Sequence, residues 1–366
     1  MRIAQIAPLA ETVPPQKYGG TERVIYTLTQ ELVARGHDVT LFASGNSKTS
    51  AKLISVFPIS LREAKLRNPY NASALGLLQA GYPYTMQEEF DIIHDHNGIL
   101  GIATANLSQT PVVMTMHGAF NKNNKKAFQT FQNPNLVGIS KAQVRHIGSI
   151  NYIGNVYHGL NMEHYPFSPS HDGYLLYVGR ISMEKGVHHA ITVAKRLKLP
   201  LILAAKIDKL DRAYFQKFVK PHLSGSIRWI GEVDEKKRNL LMSRAMCFLH
   251  PVHFPEPFGL TLIESMACGL PVVAFDKGAI PEVVANGKSG FVTGTVGEMT
   301  DAVKHIDQIK RAECRQYALT TFSAQKITDG YEAIYHQVVR KRFERMREET
   351  TERRLPLMPR SSYIDL

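Results

Sequence analysis

Arg180 and Lys185 stand five positions apart in "YVGRISMEKGV", and Glu256 and Glu264 stand eight apart in "HPVHFPEPFGLTLIESMACGLPVVAF". Two cations in a loop between a strand and a helix suit a diphosphate, whose charge they match and whose oxygens accept their N–H groups. Gly179 and Gly186 bracket the pair and let the backbone come close to a ligand. Taken singly, either cation would read as a surface charge. The glutamates suggest another use. A carboxylate beside a phosphate is repelled, so each is expected to meet hydroxyls instead. At slightly more than two helical turns apart they would touch different parts of one molecule. Phe258, Gly259 and Leu260 open the helix that carries Glu264, and their unpaired backbone N–H groups would face the same place.

Ligands of open parallel sheets sit beyond the C-terminal ends of the strands, and three other strand ends hold polar residues. Gly19 and Gly20 directly precede a helix, where the dipole and exposed N–H groups favour an anion, although a lone glycine pair is equally an ordinary turn. His94, Asp95 and His96 end "DIIHDH", and His117 ends "PVVMTMHG". The further ligands of a closed metal site are not evident, so no metal is expected. His117, beside Gly118, is better placed to hydrogen-bond a substrate.

The elements that must hold these residues alternate. "RIAQIAP" and "DVTLFAS" read as strands around the helix "TERVIYTLTQELVARGH", whose Val24, Ile25, Leu28, Leu32 and Val33 share one side and whose end is marked by Gly36. "DIIHDH", "TPVVMTMHG" and "NLVGIS" follow, apolar throughout rather than alternating, as in parallel strands buried on both faces. A turn-rich stretch at 157–173 reads as a linker. The pattern then restarts with "YLLYVGR", the helix "GVHHAITVAKRL", "PLILAAK", "SIRWIGE", "AMCFLHP", "PVVAF" and "GFVTG". Pro281 is expected to begin a short helix that Gly287 ends. A final helix from about Ala324 carries Ile327, Tyr331, Ile334, Tyr335 and Val338 at helical spacing. The fold class is α/β: two doubly wound halves facing a cleft.

Composition agrees. A chain of 366 residues exceeds one ordinary core, and 44% hydrophobic with 21% charged residues is the balance of a globular protein. No apolar run is long enough to span a membrane, and "MRIAQIAP" lacks a signal peptide's apolar core. Cys247, Cys268 and Cys314 lack metal-ligand spacing and read as reduced structural thiols of a cytoplasmic protein. The net charge of +12 is partly local, since residues 340–360 hold eight basic and four acidic side chains. A solvated helix face explains that run, with attraction to an anionic membrane surface or to anionic substrates as functional alternatives. Nucleic acid is not expected, because no nucleic-acid-binding motif accompanies the charge.

Together "YGGTERV", "GRISMEKG", "EPFGLTLIESMACGLPVVAF" and "GAIPEVVANGKSGFV" resemble the retaining GT-B glycosyltransferases of family 4, over nearly the whole chain. The resemblance implies two Rossmann-like domains, 1–160 on the acceptor side and 161–334 for the nucleotide sugar, with a C-terminal helix at about 335–366 packing back on the first. It implies transfer of a hexosyl group from a UDP-, GDP- or ADP-sugar to an acceptor hydroxyl, in glycan, glycolipid or cell-envelope biosynthesis. Arg180 and Lys185 would neutralise the leaving diphosphate without a metal or other cofactor. Glu264 would hold ribose hydroxyls, and Glu256, with the amides of Phe258 and Gly259, the donor sugar. Gly231, Glu232 and Val233 would flank the base, Gly19 and Gly20 would close over the phosphates, and His117 would contact the sugar from the acceptor side.

Two rival readings share the architecture: a nucleotide-sugar 2-epimerase, which needs no separate acceptor site, and a non-catalytic nucleotide-sugar binder. The acceptor is expected in first-half loops, "LREAKLRNPYNASALGLLQAGYPYTM" and "FNKNNKKAF", where Lys122, Lys125 and Lys126 could meet a phosphorylated acceptor or a lipid surface at the cytoplasmic face.

Overall fold

The computed structural model describes residues 1–16, 19–66 and 68–354. Tyr18 of "YGGTERV", and residues 355–366 of the basic C-terminal run, lie outside the described residues.

The first sheet has seven parallel strands: β1 (Arg2–Ile6), β2 (Asp38–Phe42), β3 (Lys52–Ile54), β4 (Ile92–Asp95), β5 (Val112–Thr115), β6 (Asn135–Gly138) and β7 (Tyr152–Asn155). Their spatial order is β3-β2-β1-β4-β5-β6-β7. The second sheet has six: β8 (Leu175–Arg180), β9 (Leu201–Lys206), β10 (Ile227–Trp229), β11 (Cys247–His250), β12 (Val272–Phe275) and β13 (Gly290–Thr293). Their order is β10-β9-β8-β11-β12-β13. In both sheets the chain runs outward one way and then returns to the centre, so each has a switch point, β1/β4 in one and β8/β11 in the other. A crevice opens beyond the strand ends at such a point.

The apolar runs have the role that their lack of alternation implies. Every residue of β4, β5, β11 and β12 is buried. The helix Gly20–Ala34 buries Val24, Ile25, Leu28 and Leu32 against the first sheet. Short strands β3 and β7 escaped the sequence reading: both lie at the edges of the first sheet, and neither carries a continuous apolar run.

Several expectations are corrected. The stretches read as acceptor-side loops are largely helical, with helices at Leu61–Ala64, Pro69–Gly81 and Lys122–Thr130. The last of these is fixed by a capping box between Asn121 and Asn124, and Lys125 donates to the His146 carbonyl. Pro281 takes the second position of a helix at Ile280–Val283, and that helix ends at Val284, ahead of Gly287. The final helix runs Ala324–Arg354 and reaches the first sheet earlier than residue 335: the Tyr331 hydroxyl lies 2.8 Å from Thr115 Oγ1. Ion pairs from Arg35 to Asp329 and Glu332 join the same helix to Gly20–Ala34. Among the described residues no helix is long and apolar enough to cross a membrane. The three cysteines are buried free thiols, and burial pushes Cys268 and Cys314 up to about 12, which makes them inert.

Candidate active site

The two switch points face one another across a cleft of about 570 Å³. Gly19, Gly20 and His117 line it from the first half, and Arg180, Lys185, Glu256, Phe258, Gly259, Leu260 and Glu264 from the second. Gly231, Glu232 and Val233 do not wall it, although Glu232 lies 3.8 Å from Arg62, which does.

Two helix N-termini converge here. Gly19 precedes one helix with φ 150°, and Gly259 precedes the helix Leu260–Ala267 with φ 87°. Neither helix has a side-chain cap, so their first N–H groups are open to a ligand. The two ends touch, since a Cβ added to Gly20 would come within 2.9 Å of Leu260 Cδ1. A side chain there would force Leu260 to move.

At one end of the cleft Lys185 Nζ lies 2.9 Å from Glu256 Oε2, and His250 Nε2 approaches the same oxygen at 3.4 Å. Burial by itself would raise the Glu256 carboxyl, but these neighbours hold it down at about 2. The approach of His250, itself kept low by burial, and the ammonium of Lys185 both favour the carboxylate. Glu256 is therefore ionised and aimed into the cleft. Gly278 supports its loop from behind: at φ 60° it packs so close that a Cβ would lie 2.3 Å from the Glu256 carbonyl oxygen.

At the other end Glu264, 2% exposed, lies 2.8 Å from Arg238 Nη2 and 3.5 Å from Arg23 Nε. Arg23 also pairs with Glu235. It thus reaches from a first-half helix to two carboxylates of the second half. The sequence reading missed Arg23 and Arg238. Arg23 sits inside the "GGTERV" run and could have been suspected there, whereas Arg238 lies in a charged helix with no distinguishing signal.

Arg180 departs from the expected arrangement. It lines the cleft, but its guanidinium pairs with Glu184 and lies 3.8 Å from Asp208 and 3.6 Å from Asp211. Its charge is shared with Glu184 of its own loop and with Asp208 and Asp211 of a distant segment.

His117 is also more occupied than expected. Its Nε2 lies 2.9 Å from His96 Nδ1, and its Nδ1 lies 3.2 Å from His158 Nε2. The chain continues inward from His96 Nε2 to Gln5 Oε1 at 2.9 Å and from Gln5 Nε2 to the Tyr335 hydroxyl at 3.0 Å. Burial holds His117 down at about 3 and His94, His96 and His158 well below their usual value, so all four are neutral. The open end is His158 Nδ1, buried and without a hydrogen-bond partner, on a residue that lines the cleft. A ligand or an ordered water could satisfy it.

Glu22 was missed as well. It lies in the first turn of Gly20–Ala34, lines the cleft, and is raised to about 7 by burial.

The comparisons with known proteins decide what this cleft belongs to. Residues 165–321 match the family described as glycosyl transferases group 1, and residues 18–146 match glycosyltransferase family 4. The chain is a GT-B glycosyltransferase of family 4. It is 24% identical to a glycogen synthase of Mycobacterium tuberculosis, over 88% of this chain and 92% of that one. It is also 24% identical to a phosphatidyl-myo-inositol mannosyltransferase of Mycolicibacterium smegmatis, over 91% and 94% of the two chains. The structure of Anabaena HepE in complex with UDP-glucose superposes with a TM-score of 0.70 at 18% identity, over 92% of this chain and all of that one. That likeness confirms the fold. The glycosyltransferase's two sheets thus carry the family's two matched regions, one sheet each.

Proposed function

We propose that this glycosyltransferase moves a hexosyl group from a nucleoside-diphosphate sugar to an acceptor hydroxyl, with retention at the anomeric carbon and without a metal. The observation that carries this reading is the pair of clusters at the two ends of one cleft: Lys185 with Glu256, and Glu264 with Arg238 and Arg23. The open N-termini of two helices lie in the same cleft, where a diphosphate's charge is favoured.

In this reading the diphosphate lies against the N–H groups following Gly19 and Gly259. Lys185 turns toward it, and Glu256 is freed to accept hydrogen bonds from sugar hydroxyls. Arg180 joins the diphosphate by leaving Glu184. Glu264, held by Arg238, accepts from the ribose, and Gly231, Glu232 and Val233 border the base at the rim. His158, supported through His117, presents its open nitrogen to the sugar or the acceptor. The acceptor hydroxyl attacks on the face from which the phosphate leaves and gives its proton to that phosphate. No residue need act as the nucleophile, because stabilising the charge that develops on the leaving group is what lowers the barrier. HepE binds UDP-glucose by its description, and a nucleotide sugar is accordingly the donor class proposed here. The glycogen synthase and the mannosyltransferase are named for different products. Glycan or cell-envelope biosynthesis is the setting proposed, with the cytoplasmic face of a membrane as its place.

The test is thermal stability in EDTA against a panel of nucleoside diphosphates and their sugars. A ligand at 100 times its Kd stabilises by about 2.7 kcal/mol. A shift confined to one base and one sugar supports metal-free donor binding. No shift in EDTA, with one restored by Mg²⁺, overturns metal independence. An isomerised free nucleotide sugar in the reaction mixture overturns the transferase reading in favour of an epimerase.

A further inference from the structure

Beside the donor cleft, sharing Arg180 and Glu184 with it, lies a second pocket of about 600 Å³. Three histidines wall it: His188, His189 and His253. Nothing in the proposed transfer uses them. One ring nitrogen from each of the three lies within 4.8 Å of the other two. The His188 and His189 ring centres are 4.0 Å apart, and those of His189 and His253 are 4.8 Å apart. We propose that these three imidazoles form a transition-metal site of the zinc class.

The backbone brings them together for reasons that can be stated. His188 and His189 fall in the first turn of the helix Val187–Leu197, directly after Gly186 at φ 67°. His253 lies in the loop after β11, and its N–H donates to the Glu184 carbonyl at 2.7 Å. The two loops pack so closely that a Cβ at Gly186 would meet the Pro251 carbonyl oxygen at 2.0 Å.

The donor set has the chemistry of such a site. Imidazole nitrogen suits zinc, copper and nickel, and three protein ligands with one open position is a familiar zinc arrangement. His188 Nδ1 lies 2.7 Å from the Tyr214 hydroxyl, which leaves Nε2 for the metal and supplies the second partner that orients metal-bound histidines. Burial, with the neighbouring rings contributing, holds His188 below its usual value and His189 at about 4, so both are neutral, as ligands must be. His253 is also held low, by burial and by Lys277. Glu184, Asp208 and Asp211 line the pocket and offset the charge of Arg180 and of an incoming dication. Nitrogens on one zinc lie about 3.3 Å apart, given bonds of about 2.0–2.1 Å. Small ring rotations from the present spacing would close the site. Edge contacts of His189 and His253 with Phe275, each at 5.7 Å, account for the packing of these two rings. They do not explain why three imidazoles meet at the rim of an open pocket.

An ion here would staple the segment that follows Lys185 to the loop carrying Glu256. With three protein ligands its fourth position stays open, and no step of the proposed transfer runs through it.

The experiment uses the full chain, stripped with a chelator and without nucleotide, titrated with Zn²⁺ against a chromophoric zinc indicator. One equivalent is expected to bind and to raise the melting temperature. His253→Ala and His189→Ala should each weaken binding at least tenfold and abolish the metal-dependent rise. Co²⁺ should give tetrahedral visible bands in the wild type that both variants lose. His253 is exposed, so its variant should keep the metal-free melting temperature of the wild type. Absence of stoichiometric uptake overturns the proposal, as does uptake that survives both substitutions and therefore belongs elsewhere. Because no nucleotide is present, neither outcome bears on the donor reading.

Discussion

Lys185 Nζ and Glu256 Oε2 are 2.9 Å apart, and the bond between them joins the loop after β8 to the loop after β11 across the centre of the second sheet. Residues 71 positions apart in sequence are thereby coupled electrostatically. Lys185→Ala removes a preorganised cation from the leaving group and should lower kcat/KM by about 10²–10³, the effect of losing one such donor. It also leaves Glu256 buried beside a neutral His250. In the wild type the Glu256 carboxyl is depressed from 4.5 to about 2 in the folded state, so its contribution to stability is present above pH 4.5 and is lost as pH falls toward 2. Melting curves between pH 3 and 6 should show that loss in the wild type and a flatter profile in Lys185→Ala. Identical profiles would mean the pair does not set the Glu256 charge.

Glu264 is fixed by Arg238 and, across the cleft, by Arg23. Glu264→Gln keeps the shape and removes the charge, so the donor KM should rise tenfold or more while kcat changes little. Arg23→Ala should also raise it, because Arg23 ties the first-half helix to the carboxylate. Steady-state kinetics decides this. A collapse of kcat with donor binding intact would remove Glu264 from ribose binding and place it nearer the chemistry.

Much of this architecture could be read from the sequence because parallel strands buried on both faces announce themselves as unbroken apolar runs, as in "PVVAF" and "CFLH". Edge strands β3 and β7, which lack such runs, could not be found the same way. The donor-side residues were legible because Gly259 and Leu260 follow a strand and open a helix, a local pattern. Arg23, Arg238 and His158 were not, since each acts through partners on distant segments. Arg180 shows the same limit from the other side. Its place at a strand end was evident, but the carboxylates that hold it, Asp208 and Asp211, come from the loop after β9. The cluster of His188, His189 and His253 depends on two loops meeting, which spacing alone does not reveal.

Glu22 carries a carboxyl that burial raises from 4.5 to about 7. Between those values the folded state holds a proton that the unfolded state has released. Stability attributable to Glu22 is therefore full below pH 4.5 and declines as pH rises to about 7. Glu22→Gln should remove that decline and leave the protein more stable than wild type at pH 8, by roughly 1–3 kcal/mol. Denaturant melts at pH 5 and pH 8 test this. Equal wild-type and variant slopes with pH would show that Glu22 is ionised throughout.

The buried chain from the cleft to the final helix separates a structural role from a functional one. The Tyr335 hydroxyl lies 2.6 Å from His94 Nδ1 and accepts from Gln5 Nε2 at 3.0 Å, with all three residues buried. Tyr335→Phe keeps the ring and strands both partners, and a buried unsatisfied polar group costs about 1–3 kcal/mol. A fall of several degrees in melting temperature is expected, with kcat/KM retained at a temperature where the variant is folded. His158→Ala should do the reverse. Its Nδ1 has no partner within the protein, so less stability is lost there, while transfer should fall tenfold or more if that nitrogen meets substrate. Should His158→Ala transfer normally, the neutral histidine row is a support for the final helix and has no part in the reaction.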